Sequence, residues 1–435
     1  MNIMMMTNTF TPHVGGVARS VETFTAAYRR QGHRVMVVAP KFEKKDEDEM
    51  DVVRIPAIQH FNGSDFSVVL PVHAPLTLAV ERFRPDIIHS HHPFLLGGTA
   101  LRLARRHGLP LIFTHHTMYE QYTHYVPGDS RAMKQFVIQL ATSYANLCDL
   151  VFAPSQSVAK VLQGRGVYTP IEVVATGVDV EAFAQGSGPG FRAAMALPAD
   201  ALVIGHLGRL APEKNLEFLA TAVAAYLQTD SRAHFLLIGS GPSVQIIQQI
   251  FARENLTSRL HHVTLLEQPL LASAYQAMDI FAFASRSETQ GMVLTEAMAA
   301  GVPVVALDAP GVREVVVDGV NGTLLKDESV AAFAAALHSM ASLPAEQIAL
   351  LQEGARRTAR DFSQEATAAK ALSLYADVVG QSLEGKLHPV NAQEEYGVWE
   401  GLLRRVSIEW NIFKNVLDAA DAALHSGDPH KKKQP

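Results

Sequence analysis

Short apolar runs alternate with longer amphipathic stretches along most of the chain. Asn2 to Met6 reads as a buried strand, Thr7 to Val14 as a loop, Gly15-Gly16 as a tight turn and Val17 to Arg30 as an amphipathic helix. Gly32 caps that helix, and Arg34 to Ala39 is a second strand. Further strands are predicted at Asp86 to Ser90, Leu111 to Thr114, Leu150 to Ala153 and Glu172 to Val174. Gly186-Ser187-Gly188-Pro189-Gly190 has linker composition, and the alternation restarts after it. Strands then follow at Ala201 to His206, Ala233 to Ile238, Leu260 to Thr264, Ile280 to Ala284 and Val302 to Ala306. Strands alternating with helices predict parallel sheets. The expected fold is α/β, with two Rossmann-like doubly wound domains facing a cleft.

Composition narrows this picture. A chain of 435 residues, 48% hydrophobic and 18% charged, is too long for one ordinary domain and suits two. A net charge of −6 argues against nucleic acid as a partner. The single cysteine, Cys148, excludes an internal disulfide framework and a cysteine-based zinc cluster, and fits a reducing compartment. No apolar run approaches bilayer-spanning length, and Met1 to Met6 lacks the charged start and cleavage site of a signal peptide. A cytoplasmic protein is the expectation.

One stretch carries most of the chemistry, Ser285 to Pro303. The strand before it leads into a polar turn that ends at Gln290. Gly291 then opens a short helix reaching about Ala300, with Gly301 placed as its C-terminal cap. The free N–H groups of Gly291, Met292 and Val293, with the helix dipole, favour a phosphate. Two carboxylates, Glu288 and Glu296, stand eight residues apart. Glu296 is placed to accept hydrogen bonds from a ribose, and Glu288 stays at the mouth of the site. A structural unit with two solvated glutamates is the competing reading.

The spacing Glu288…Glu296, followed by Glu296-Ala297-Met298-Ala299-Ala300-Gly301 and Pro303-Val304-Val305, resembles the signature of glycosyltransferase family 4. These are retaining enzymes that use nucleotide sugars. The chain departs from the pattern at Gln290-Gly291-Met292, where most members carry phenylalanine before the glycine. The resemblance covers about residues 1 to 380 and implies the GT-B fold. It divides the chain into an acceptor-side domain (1–185), a linker (186–200), a nucleotide-sugar-binding domain (201–363) and a crossover helix region (364–390). A helical extension with a basic tail (391–435) lies beyond it.

Other residues gain roles from the resemblance. Gly15-Gly16 lacks the dinucleotide fingerprint, but in the family such a pair approaches the donor diphosphate or the reacting centre. Arg19, one turn on, is expected to contact donor or acceptor anions. Arg209 offers a planar fork for phosphate oxygens and Lys214 a point charge, in the family's spacing. Together they stabilise a leaving diphosphate without a metal. His116 aligns with the family histidine that approaches the sugar ring, and with Glu288 it is the expected catalytic pair. His115 reads as packing. His91, His92, Tyr119 and Tyr122 are placed on the acceptor side, in runs similar to diacylglycerol glucosyltransferases of the family. Gly177-Val178-Asp179 looks like the family's N-G-V-D with Thr176 in place of asparagine, and reads as structural.

The histidines lack zinc-site spacing, and Asp46-Glu47-Asp48 follows no strand, so no metal site is expected. The expected partners are a nucleoside diphosphate sugar as donor and a membrane lipid as acceptor, with no further cofactor. The protein would then act peripherally at the inner membrane face. The rivals are another GT-B enzyme, such as a sugar-nucleotide epimerase or a phosphorylase, a transferase with a soluble or polysaccharide acceptor, and a non-enzymatic nucleotide-sugar-binding or assembly protein. From Glu394 to Leu424 an apolar stripe through Tyr396, Trp399, Leu403, Val406, Trp410, Phe413 and Leu417 predicts a helix. Its partner would be the first domain, a second copy in a homodimer or a membrane surface, with the first two ahead of the third.

Overall fold

Two parallel sheets, each with helices on both faces, form the body of the computed structural model. It describes residues 1–13, 15–42, 51–58, 68–69, 74–121, 131–286 and 288–385. The first sheet contains β1 (Asn2–Met6), β2 (Arg34–Pro40) and β3 (Val52–Ile55). Two short antiparallel strands, β4 (Ala57–Ile58) and β5 (Val68–Val69), stand outside it. It continues with β6 (Ile87–Ser90), β7 (Leu111–Thr114), β8 (Leu150–Ala153) and β9 (Ile171–Val173). The spatial order is β3-β2-β1-β6-β7-β8-β9. The second sheet holds β10 (Leu202–Leu207), β11 (Ala233–Ile238), β12 (Leu260–Val263), β13 (Ile280–Phe283), β14 (Val304–Leu307) and β15 (Gly322–Leu325). Its order is β12-β11-β10-β13-β14-β15. In both, the order reverses beside the first strand, where doubly wound sheets open a crevice.

Helices α1 (Gly16–Arg30), α2 (Ala74–Phe83), α3 (Leu96–His107), α4 (Arg131–Asn146) and α5 (Gln156–Gly164) belong to the first domain. The second carries α6 (Val180–Ala184), α7 (Gly188–Ala194), α8 (Leu216–Leu227), α9 (Val244–Arg253), α10 (Leu270–Gln276) and α11 (Met292–Ala299). It ends with α12 (Val330–Ala341) and α13 (Ala345–Asp361), and α14 (Gln364–Leu383) follows. The central strands are buried on both faces, which is why they read as unbroken apolar runs rather than as alternations. No helix among the described residues is long and apolar enough to cross a membrane.

The glycine-rich stretch is not a spacer. Ser187 caps α7 through the N–H of Gly190, and Pro189 sits in the first turn. A Cβ on Gly188 would stand 2.2 Å from the Gln276 carbonyl oxygen, so the glycine lets α7 lie directly on α10. The expected linker is thus part of the second domain's packing, and Phe191 and Leu197 join that core.

The chain passes between domains at two adjacent points. The first runs from Val174, in the core of the first domain, to Val178, in the core of the second. The second runs from Phe362 into α14. The two are paired by Val178 N–H to the Phe362 carbonyl (2.9 Å) and Gln364 N–H to the Val178 carbonyl (3.0 Å). α14 then returns to the first domain and buries Ala368, Ala371, Leu372 and Tyr375 against α1 and the sheet. The proposed C-terminal helix, Glu394 to Leu424, lies outside the described residues.

Candidate functional site

The polar groups singled out in the sequence leave the carboxyl ends of strands, where parallel sheets gather ligands. The loop after β1 leads to Gly15-Gly16, those after β6 and β7 deliver His91-His92 and His115-His116, that after β10 carries Arg209 and Lys214, and that after β13 carries Glu288.

In the second domain a single 3-10 turn, Pro212–Lys214, aims Lys214 at the neighbouring loop. Its Nζ lies 2.6 Å from Glu288 Oε1, joining groups 74 residues apart. Both side chains are mostly buried. Arg209 is half exposed, 4.0 Å from the Glu213 carboxylate. Gly291, the N-cap of α11, has φ +77°, a left-handed conformation that strains residues with a Cβ. It has no side chain with which to cap the helix, so the first-turn amides of Met292 and Val293 stay available to an anion.

Glu296 lies one turn further along and is 4% exposed. Its Oε2 accepts the Tyr275 hydroxyl at 2.7 Å, and its Oε1 meets the Arg19 guanidinium at 2.9 Å. Burial raises the Glu296 pKa above the usual carboxylate value, while Arg19 and Tyr275 pull it part of the way back. Arg19 belongs to the first turn of α1, so this pair bridges the domains and engages the arginine expected to meet ligand anions. A Cβ on Gly16 would meet nothing within 4 Å, whereas one on Gly15 would stand 3.1 Å from His13 Nε2. The space over Gly16, at the N-terminus of α1, is open, so no packing constraint requires a glycine there.

The first domain contributes buried histidines. His91 and His116 stack at 5.2 Å between ring centroids and join Nδ1 to Nε2 at 2.9 Å. Burial, helped by neighbouring imidazoles, holds both pKa values well below the usual one, so both rings are neutral at neutral pH. Only His116 of this pair is partly exposed. His91 and His92 do not line the cleft as expected but lie beneath its surface. His92 Nδ1 accepts the Asn8 N–H at 3.1 Å and so ties the loop after β1 to the loop after β6, and burial lowers its pKa to about 3. His115 packs edge-on against Phe113 and Tyr119, with neither ring nitrogen bonded among the described residues. Tyr119 packs against Phe94 and its hydroxyl is buried, while Tyr122 lies outside the described residues. Among the described residues no group of three His, Cys, Asp or Glu side chains is arranged to hold a metal ion.

Sequence reasoning missed the residues that join the two halves. Glu314 accepts the N–H groups of Gln156 and Ser157 (2.5 and 2.6 Å) at the start of α5, where the helix dipole favours a carboxylate. The Gln290 side chain bonds the backbone of Thr176. No local pattern announces either contact. For Gln290 and Thr176 the one signal is that both depart from the family pattern.

Comparison with known proteins gives these residues a context. Residues 14–182 match Glycosyltransferase Family 4, and residues 201–342 match Glycosyl transferases group 1. The alpha-monoglucosyldiacylglycerol synthase of Streptococcus pneumoniae is 27% identical over 338 residues, which cover 75% of this chain and 76% of that protein. A GDP-mannose-dependent alpha-mannosyltransferase of Mycolicibacterium smegmatis is 30% identical over 334 residues, covering 75% of this chain and 84% of that protein. Among solved structures, Anabaena HepE in complex with UDP and glucose superposes with a TM-score of 0.67 at 21% identity, over 87% of this chain and 99% of that one. At that identity the likeness is one of fold, the two-domain GT-B architecture.

Proposed function

The chain belongs to Glycosyltransferase Family 4, and from that premise we propose that it moves a hexose from a nucleoside diphosphate sugar to the hydroxyl of a diacylglycerol-type lipid, with retention at the anomeric carbon. The observation that carries the reading is the pair of contacts Lys214–Glu288 and Arg19–Glu296. They gather two cations, two carboxylates and two helix N-termini from three distant segments. The donor class is supported by the UDP and glucose bound in HepE, and the acceptor class by the lipid synthase relative.

In this reading Arg209 and Lys214 hold the diphosphate, and the amides of Met292 and Val293 take its remaining oxygens. The Glu296 carboxylate accepts ribose hydroxyls. Glu288, steadied by Lys214, and the neutral His116 imidazole hold the hexose hydroxyls. The bond from the anomeric carbon to the diphosphate oxygen breaks, and a bond to the acceptor oxygen forms on the same face. The acceptor proton passes to the departing phosphate oxygen, and the fixed cations balance the charge that develops there. The protein would meet its lipid peripherally at the inner membrane face.

Incubating the purified protein with UDP-, GDP- and ADP-hexoses and diacylglycerol vesicles tests the reading. Formation of a glycosylated lipid is expected. Epimerised donor formed without any acceptor, or no turnover of any donor, would refute it. The same assay is expected to survive EDTA, because Arg209 and Lys214 supply the positive charge. Loss of activity restored by a divalent ion would show that these cations do not suffice.

Arg19→Met carries a pH signature. Arg19 lowers the pKa of Glu296 against the effect of burial, so its removal raises that pKa further. Glu296 is then protonated over a wider range, and the acid limb of the kcat/KM profile is expected to move to higher pH. An unmoved limb would separate Glu296 from donor binding.

A further inference from the structure

Two distant positions touch each other. Gln290 and Thr176 lie 114 residues apart in the sequence. The Thr176 N–H donates to Gln290 Oε1 at 2.7 Å, and Gln290 Nε2 donates to the Thr176 carbonyl at 2.7 Å. Only this orientation of the carboxamide satisfies both backbone groups. Both residues are 4% exposed. Thr176 lies in the first crossing between the domains, and two residues on, Val178 pairs through both its backbone groups with Phe362 and Gln364. The Gln290 side chain thus acts as one more strand partner and extends that ladder by a step.

The contacts close into a ring. Thr176 Oγ1 lies 2.7 Å from Ser20 Oγ on α1, both buried. The neighbour of Ser20, Arg19, reaches Glu296 on α11, the helix that begins two residues after Gln290. The ring runs from α1 to the crossing, to the donor loop, to α11 and back to α1.

We propose that Gln290 is a positioning residue that ties the donor-binding loop to the interdomain crossing, so that hinge angle and donor-loop conformation are set together. The proposal rests on the nucleotide-sugar reading of the site. Turning one domain against the other about the crossing carries Gln290 with it, and with Gln290 go Glu288, two residues before it, and the start of α11. An apolar side chain at this position leaves a buried N–H and a buried carbonyl of Thr176 unpaired. The loop and the hinge then move independently, and a donor has to order both when it binds.

The test compares full-length wild type with Gln290→Met, which has similar length and no bonding groups, and with Ser20→Ala. Hydrogen–deuterium exchange is followed over residues 174–178, and the affinities for UDP, GDP and ADP are measured by calorimetry. Gln290→Met is expected to exchange at least tenfold faster over that segment. It should also bind the preferred nucleotide at least tenfold more weakly, with exchange in α8 unchanged. Ser20→Ala is expected to move both readouts in the same direction by a smaller factor, and Thr176→Ser to retain the wild-type affinity because it keeps the hydroxyl. Wild-type exchange over 174–178, or an affinity within twofold of wild type, in Gln290→Met would overturn the proposal. If that variant does not fold, unchanged exchange and affinity in Ser20→Ala overturn it. A wild type that binds none of the three nucleotides refutes the donor reading instead, and the exchange comparison still decides whether Gln290 holds the crossing.

Discussion

Lys214→Ala is expected to lower kcat/KM for transfer by one to two orders of magnitude, with the unfolding midpoint little changed. Two effects act in the same direction. The variant loses the ammonium that faces the departing diphosphate. It also strips the Glu288 carboxylate, whose side chain is only 13% exposed, of the partner 2.6 Å away. A negative group left unpaired in the pocket then opposes an anionic ligand. A hydrogen bond to a charged group contributes about 1.5–3 kcal/mol, and at about 1.4 kcal/mol per tenfold that is roughly a 10- to 150-fold loss. Arg209→Ala is expected to do less, because its guanidinium is half exposed and more screened. Steady-state kinetics check both variants. A Lys214→Ala enzyme with wild-type turnover and donor affinity would remove this lysine from the donor site.

Gly177→Ala is expected to destabilise the whole protein. The added Cβ would stand 2.4 Å from Gln364 Cα, 2.5 Å from Thr367 Oγ1 and 2.7 Å from Gln364 N. The two Gln364 atoms are backbone of the second crossing, so turning the Thr367 side chain away would not make enough room. Relief has to come from separating the two crossings, which breaks the pairs that Val178 makes with Phe362 and Gln364. Overpacking of this kind costs roughly 1–3 kcal/mol, and a figure of at least about 2 kcal/mol is expected from urea unfolding because backbone pairs go as well. An unchanged midpoint would mean that the crossings have slack between them.

Much of this was legible in the chain because it is local. The buried strands announce themselves as apolar runs, and the loops after them carry Arg209, Lys214, Glu288 and His116 at the edge where a parallel sheet binds. Contacts between distant segments were not legible. Nothing near Gln290 says that its amide will lie against Thr176, 114 residues earlier, and nothing near Arg19 says that it will reach Glu296. The stretch at Gly186 hides its role for a different reason. Its glycines suggest freedom, but Ser187 and Pro189 together are a helix start, and the glycines serve close packing instead. The short strand β15 gives little signal because its Gly322 and Thr323 dilute the apolar run.

The return of α14 to the first domain has a consequence during synthesis. Tyr375 stacks on Phe152 (5.8 Å, 3° between planes), and its hydroxyl meets that of Tyr28 at 3.2 Å and the Nδ1 of His89. All three partners come from the first half of the chain, and His89 is so deeply buried that its pKa falls to about 3. The ribosome therefore finishes the first domain's strands about 200 residues before it supplies the helix that covers them. At 5–20 residues per second, the nascent first domain waits roughly 10–40 s with an apolar face open to water. Through that interval the emerging half is a natural client for chaperones, and release from them is timed by α14 rather than by the domain's own sequence.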